Sequence, residues 1–285
     1  MSNSATVFLF LCFLFSGSTT AEQPGQSSCN RAELEGARLV FHRAWFEQAD
    51  EQFAEYLKKC DGDALAHAYS AIIDMLLYRD NTLNVDRALS LADTSGETNG
   101  LFVRALADFA DGQLKEAESQ LKQYLQASPD DKYAMHVLGF TLNDQGQHRE
   151  GAKTLARLLT SHPDYFPAKN HLAYALLEIG ETEDALRVVS EFVDADPANP
   201  STWDTQADIL HSLGHSEAAI ASLSRSLVLD ERFAYGFRHL GDILMSVGDK
   251  DAANAAYRRA IRSAGAYGPD FVTSVENILS KDNEE

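Results

Sequence analysis

Residues 200–233 read PSTWDTQADILHSLGHSEAAIASLSRSLVLDERF, and residues 234–267 read AYGFRHLGDILMSVGDKDAANAAYRRAIRSAGAY. The two stretches have the same length, and each carries a glycine at the same internal position, Gly214 and Gly248. Apolar residues recur at helical spacing on both sides of that glycine. A glycine between two such runs marks the end of one helix and the turn to the next, because it adopts a left-handed backbone without steric cost. Each stretch is therefore predicted to fold as a pair of helices.

The same pattern extends through most of the chain with a period of 34 residues. The turn glycines are Gly112, Gly146, Gly180, Gly214 and Gly248. Small residues follow these glycines by five positions, at Ala117, Gly151, Ala185, Ala219 and Ala253. Such small side chains allow two helix backbones to approach closely. A constant period of this length indicates stacked structural repeats.

This pattern resembles the tetratricopeptide repeat family over roughly residues 30–267. The marker residues of the last unit are Phe237, Leu240, Gly241, Leu244, Gly248, Ala253, Tyr257 and Ala260. The resemblance implies an all-α, right-handed superhelical solenoid of antiparallel helix pairs with a C-terminal capping helix. Its seven units would be 30–63, 64–97, 98–131, 132–165, 166–199, 200–233 and 234–267.

The first two units depart from this pattern. Ala44 stands where the turn glycine of the first unit belongs. In the second unit, residues 78–82 replace the glycine turn, and the small residue is expected late, at Ala88. After the seventh unit, residues 269–281 are predicted to form the capping helix, and residues 282–285 a frayed tail.

The N-terminal residues differ in composition from the rest of the chain. Residues 5–15 are apolar and uncharged, and small residues follow up to Ala21. This order is typical of a secretory signal peptide, and the run is short for a transmembrane helix. We therefore expect a signal peptide at 1–21, a flexible mature N-terminus at 22–28, and export to the periplasm or the medium. An uncleaved membrane anchor is the alternative.

Two cysteines remain after signal cleavage, Cys29 and Cys60. Within the repeat pattern, Cys29 precedes the first helix of the first unit, and Cys60 ends its second helix. The two ends of an antiparallel helix pair lie side by side, and exported cysteines pair by default. We therefore predict a disulfide bond between them, with two free thiols as the alternative.

The charge and the motifs of the chain restrict its function. The formal net charge is −19, which disfavours nucleic acid and anionic lipid as partners and suits a basic or amphipathic protein. The sequence contains no metalloprotease helix, nucleophile elbow or phosphate loop. His211 and His215 are separated by a turn glycine, so they are not expected to share a helix face. We expect no catalytic residues, no metal and no cofactor.

The resemblance implies that the first helix of each unit lines a concave groove. The positions that line the groove in this family, mapped onto this sequence, predict a partner-binding surface. Its residues are Phe102, Val103, Leu106, Phe109, Tyr133, His136, Phe140, Asn170, His171, Tyr174, Asp204, Asp208, His211, Arg238, His239 and Asp242. This surface is apolar and aromatic at its N-terminal half, and polar with several histidines at the other. The alternative for the apolar half is that its side chains belong to the core of the solenoid.

Together these features predict an exported, non-catalytic scaffold or adaptor that binds a protein or peptide in its groove. By analogy with the family, it would support assembly of a cell-envelope complex such as a pilus, a secretion system or a polysaccharide exporter. Two alternatives stay open. The first is a periplasmic, chaperone-like holdase that uses the apolar groove. The second is an enzyme or metal-binding protein that uses the histidine-bearing end.

Overall fold

The computed structural model describes residues 29–282, and in this range the chain is helical without any β-strand. The predicted signal peptide, the segment 22–28 and the last three residues lie outside the described residues. None of the helices between residues 29 and 282 is long and apolar enough to cross a membrane.

The helices form seven antiparallel pairs followed by a single helix, which confirms the predicted all-α solenoid with a C-terminal helix. The pairs are α1 (Arg31–His42) with α2 (Phe46–Leu57), α3 (Ala64–Leu76) with α4 (Thr82–Ala92), α5 (Glu97–Ala110) with α6 (Leu114–Ala127), α7 (Lys132–Asp144) with α8 (His148–Ser161), α9 (Ala168–Glu178) with α10 (Thr182–Ala195), α11 (Pro200–Ser212) with α12 (Ser216–Leu229), and α13 (Ala234–Ser246) with α14 (Lys250–Ser263). The final helix is α15 (Pro269–Asp282). The pairs recur at intervals of about 34 residues, and α5 begins at Glu97, one residue before the predicted third unit.

The turns within the pairs keep the 34-residue register even where glycine is missing. The five turn glycines all have a positive φ, and so do Ala44, at 60°, and Tyr78, at 55°. These two residues stand at the corresponding positions of the first two units. A side chain in this left-handed conformation costs roughly 1–2 kcal/mol, so the surrounding packing must stabilise both turns.

The turn of the second unit differs in length from the others. Helix α4 begins four residues after Tyr78, whereas α6 begins two residues after its turn glycine. The backbone N–H of Thr82 donates to Asp80 Oδ1 across 3.0 Å. The delayed start rotates the helix, so that Leu83 is 80% exposed and Ala88, the expected small residue, is fully buried.

The disulfide bond between Cys29 and Cys60 is present, with the two Cα atoms 5.5 Å apart. It joins the start of α1 to the end of α2. The first helix pair is thereby closed covalently at the N-terminal end of the solenoid.

The turn between α1 and α2 contacts a distant part of the solenoid, the connection between α10 and α11. The guanidinium of Arg43 pairs with both carboxylate oxygens of Asp196, at 2.7 Å from each. Asn199 Nδ2 donates to the carbonyl of Arg43 across 2.7 Å, and Ser201 Oγ donates to the carbonyl of Ala44 across 3.0 Å. The first unit is therefore bound to the junction of the fifth and sixth units.

A second contact joins the turn between α3 and α4 to the connection before α15. The backbone N–H of Gly268 donates to the carbonyl of Leu77 across 2.7 Å. The ring of Tyr78 packs against Phe271, with centroids 5.6 Å apart. The superhelix is therefore closed on itself, and the inner faces of its units meet around a central cavity.

Candidate functional site

The central cavity has a volume of about 430 Å³ and is lined by side chains from all seven helix pairs. Phe46, Phe140 and Tyr235 contribute to an aromatic part of its wall, while Asp144 and Asp208 contribute carboxylates. The cavity thus offers both apolar contact and charge to a molecule that enters it.

The apolar half of the predicted groove is buried. The buried members are Phe102, Val103, Leu106, Phe109, His136 and Phe140, with exposed fractions from 0 to 7%. Helix α1 lies over one end of this part of the groove, since the Arg38 guanidinium lies 4.1 Å from the ring centroid of Tyr133 and 5.9 Å from that of Phe102. These side chains belong to the core, as the alternative interpretation of the sequence had it. Their role in partner binding stays a prediction.

Three histidines form a hydrogen-bonded chain across the inner faces of the first, fourth and fifth units. His42 Nδ1 lies 3.0 Å from His136 Nδ1, and His136 Nε2 lies 3.0 Å from His171 Nδ1. The hydroxyl of Tyr69 lies 3.0 Å from His42 Nε2, and that of Tyr165 lies 3.1 Å from His136 Nδ1. These contacts hold α1 against the opposite wall of the cavity.

Burial keeps these three imidazoles neutral. Burial lowers the pKa of both His136 and His42 well below the usual value. The positive charge of Arg38 lowers the pKa of His42 further. Burial lowers the pKa of His171 to about 4. A neutral imidazole both donates and accepts one hydrogen bond, so it is suited to a chain of this kind.

His42 is not among the groove residues predicted from the sequence. It occupies in the first unit the same position that other units use to line the groove. Applying the family's groove positions to the first unit would have identified His42 as a groove residue. The pattern of repeats would not have predicted its contact with His136.

In the C-terminal half of the predicted groove, Asp204 and Asp208 on α11 face His239 on α13. His239 Nδ1 lies 2.9 Å from Asp204 Oδ1 and 3.4 Å from Asp208 Oδ1. Tyr174 donates its hydroxyl to Asp208 Oδ2 across 2.7 Å. Burial raises the pKa of Asp208. Burial opposes protonation of His239, but Asp204 and then Asp208 outweigh it and raise the pKa to about 9.

Asp204 is 8% exposed and therefore buried, and the other predicted groove residues are half-buried. Thr205 donates its hydroxyl to Asn170 Oδ1 across 3.3 Å. Tyr257 donates to Asp242 Oδ1 across 2.8 Å, and Arg238 Nε lies 3.9 Å from Asp242 Oδ2. The half-buried members as a whole are Tyr133, Asn170, His171, Tyr174, Asp208, His211, Arg238, His239 and Asp242.

Comparison with known families agrees with this architecture. A family model described as tetratricopeptide repeat matches residues 37–232, and a second model with the same description matches residues 239–267. The chain belongs to the tetratricopeptide repeat family. Proteins with this fold are in general non-catalytic scaffolds, and the fold indicates protein–protein interaction. No curated protein matches the chain's sequence significantly.

Solved structures resemble the fold of the chain at low sequence identity. A tetratricopeptide repeat protein from Parabacteroides merdae is 15% identical, with a TM-score of 0.59, over 86% of this chain and 96% of that one. A thermophilic tetratricopeptide repeat protein of Thermus thermophilus is 20% identical, with a TM-score of 0.58, over 64% of this chain and 99% of that one. The Cut9–Hcn1 hetero-tetramer of the APC/C contains a chain that is 11% identical, with a TM-score of 0.66, over 91% of this chain and 51% of that one. At these identities the likeness concerns the fold alone.

Proposed function

We propose that this protein is an exported, non-catalytic scaffold that binds a basic or amphipathic protein or peptide on the concave side of units five to seven. It would act in the assembly of a cell-envelope complex. The observation that carries this proposal is the difference in burial along the inner face. The apolar groove side chains of units three and four, such as Leu106 and Phe140, are at most 7% exposed, whereas most groove side chains of units five to seven, such as Asp208, are half-buried.

Charge supports a partner of this kind. The accessible inner face includes the carboxylates of Asp208 and Asp242, and Glu178 is exposed at the end of the inner helix α9. The whole chain carries a formal net charge of −19. A basic segment would be attracted to such a surface, and an acidic one would be repelled.

A holdase is less compatible with the closed solenoid. It would need the apolar side chains of units three and four, and Leu106 and Val103 are 0 and 2% exposed. Phe102 and Tyr133, which lie beside Arg38 of α1, become more accessible only after α1 leaves the inner face. That movement would break the Arg43–Asp196 ion pair and the contacts of His42.

The location of the binding surface can be tested with two matched charge reversals. Glu178→Lys changes the exposed end of the inner helix α9, and Glu183→Lys makes the same change on the exposed surface of α10. Each variant and the unaltered chain would be used to recover partners from a cell-envelope extract, followed by crosslinking and mass spectrometry. We expect one stoichiometric partner whose recovery falls with Glu178→Lys and not with Glu183→Lys.

Two other results would contradict this proposal. Equal recovery by both variants would place the partner outside the concave side. Recovery of many unrelated proteins would support a holdase instead of a scaffold.

Export can be tested separately by cell fractionation and N-terminal sequencing. We expect the protein in the exported fraction with Glu22 as its first residue, because cleavage is predicted after Ala21. A protein that retains residues 1–21 and stays with the membrane would support the uncleaved anchor. Recovery from the cytosol would contradict export.

A further inference from the structure

Two carboxylates and one imidazole converge at the wall of the central cavity. Asp204, Asp208 and His239 each offer one ligand atom, and the three atoms lie within 4.8 Å of one another. Asp204 and Asp208 are four residues apart on α11, so they share one face of that helix. His239 reaches them from α13, the inner helix of the next unit.

The two separations from His239 are close to those around a bound metal ion. Carboxylate and imidazole ligands bind zinc at about 2.0–2.2 Å, which places neighbouring ligand atoms roughly 3–3.5 Å apart. His239 Nδ1 lies 2.9 Å from Asp204 Oδ1 and 3.4 Å from Asp208 Oδ1. An ion could therefore be accommodated with small side-chain movements.

The neighbouring side chains hold the ligands in place. The hydroxyl of Tyr174 donates to Asp208 Oδ2 and leaves Oδ1 directed to the cluster. The ring of Tyr235 lies against the imidazole of His239, with centroids 4.3 Å apart. Partners of this kind fix the orientation of metal ligands and tune their affinity.

The cavity leaves room for the remaining coordination positions. Asp204, Asp208 and His239 all line it, and its volume of about 430 Å³ is large enough for water molecules or a small ligand. Three protein ligands would leave a coordination position open towards the cavity, in contrast to a closed structural site with four protein ligands.

We propose that Asp204, Asp208 and His239 bind one divalent transition-metal ion at the wall of the central cavity. One imidazole and two carboxylates favour Zn²⁺, Co²⁺ or Mn²⁺ over Mg²⁺ and Ca²⁺, which prefer oxygen ligands alone. The two carboxylates balance the charge of the ion, and the proton on His239 Nδ1 is released when the metal binds there. The site lies on the same inner face as the proposed protein-binding surface and shares Asp208 with it, but metal binding by these three side chains does not depend on a protein partner.

Metal titration of the full mature protein, prepared without a histidine tag and stripped with a chelator, tests the proposal. Co²⁺ would be followed by its visible absorption and Zn²⁺ by calorimetry, with Mg²⁺ and Ca²⁺ as comparisons. We expect one equivalent of Zn²⁺ or Co²⁺ to bind, and little Mg²⁺ or Ca²⁺. His239→Ala and Asp208→Asn should each weaken binding by about 100-fold or more, and Tyr174→Phe by about 10-fold.

Asp144→Asn is the matched control, because Asp144 is a carboxylate that lines the same cavity outside the cluster. It should leave metal affinity unchanged. Circular dichroism would verify that each variant is folded. If a variant unfolds, Mn²⁺ added to the unaltered protein should broaden the imidazole NMR signals of His239 before those of His42 and His215. Absence of stoichiometric binding, retention of affinity in folded His239→Ala, or broadening elsewhere first would overturn the proposal.

Discussion

Gly268 donates its backbone N–H to the carbonyl of Leu77 across 2.7 Å, although the two residues stand near opposite ends of the solenoid. This bond belongs to one of the two groups of contacts that close the superhelix, and the ion pair between Arg43 and Asp196 belongs to the other. A tetratricopeptide repeat solenoid without such contacts would present an open groove. Here closure converts the groove into a cavity, so the stability of these contacts determines which inner side chains a partner can reach.

Replacing Gly268 with alanine should open the second of these contacts. A Cβ atom at this position would lie 1.8 Å from the carbonyl oxygen of Tyr78, which is backbone and has little freedom to move. We expect a loss of about 1–3 kcal/mol in the free energy of unfolding and a larger radius of gyration by small-angle X-ray scattering. Gly265→Ala is the control, because nothing lies within 4 Å of its added Cβ. Identical scattering and stability for the two variants would show that closure does not depend on this approach.

Removing Arg43 should destabilise the other contact. The Asp196 side chain is 7% exposed, so Arg43→Ala leaves a buried carboxylate without its cation. Breaking a buried pair costs about 3–5 kcal/mol. Because the Arg43 side chain is 32% exposed, we expect a smaller loss, about 2 kcal/mol. Urea unfolding would measure it.

Arg187→Ala gives the comparison for Arg43→Ala. Arg187 pairs with Asp184 and Glu191 on the exposed surface of α10, where such pairs contribute about 0.2–1 kcal/mol. A double-mutant cycle with Asp196→Asn would separate the pair from other effects of the truncation. A loss for Arg43→Ala no larger than that for Arg187→Ala would contradict a structural role for the ion pair.

The helix pairs were predictable from the sequence because each turn is specified locally. The turn glycines set the register, and the register correctly placed Ala44 at a turn where the sequence gives no local sign of one. Ala88 illustrates the limit of this reasoning. Its late position indicated an altered second unit, but the two-residue delay of α4 became clear only from the structure.

Closure was not predictable from the same pattern. A repeat specifies the contacts of each unit with its neighbours, and the overall curvature is the sum of small rotations between units. Arg43 and Asp196 lie in units that are not neighbours, so no spacing in the sequence relates them. The burial of Phe102 and the contact between His42 and His136 depend on that curvature. The sequence therefore left the burial of Phe102 as one of two alternatives and gave no indication of the contact between His42 and His136, although each of these residues stands at a groove position.

Loss of the disulfide bond should destabilise the first helix pair. The bond closes a loop of 31 residues between Cys29 and Cys60, which corresponds to about 4 kcal/mol from restriction of the unfolded chain. Urea unfolding of the mature protein with and without reductant would measure the effect. The double variant Cys29→Ser/Cys60→Ser should show the same loss and no further response to reductant. Two alkylatable thiols in the native, unreduced protein would contradict the bond.

Acid should weaken the solenoid through the chain of neutral histidines. Burial lowers the pKa of His42 and His136 well below the unfolded value near 6.5, and that of His171 to about 4. Below pH 6.5 the unfolded chain therefore binds protons that the folded chain does not. Each histidine then reduces the free energy of unfolding by about 1.4 kcal/mol per pH unit, until its folded pKa is reached. For His171 this loss of unfolding free energy ends near pH 4, whereas for His42 and His136 it extends to lower pH values.

Urea unfolding between pH 7.5 and pH 5 would measure this slope. The double variant His42→Gln/His136→Gln should have a shallower slope over the same range, because two of the three groups no longer titrate. His215→Gln is the matched control, since His215 is exposed and lies outside the cluster, and it should keep the slope of the unaltered protein. If the double variant retained the full slope, acid sensitivity would arise elsewhere, and the histidine contacts would not couple pH to the position of α1 on the inner face.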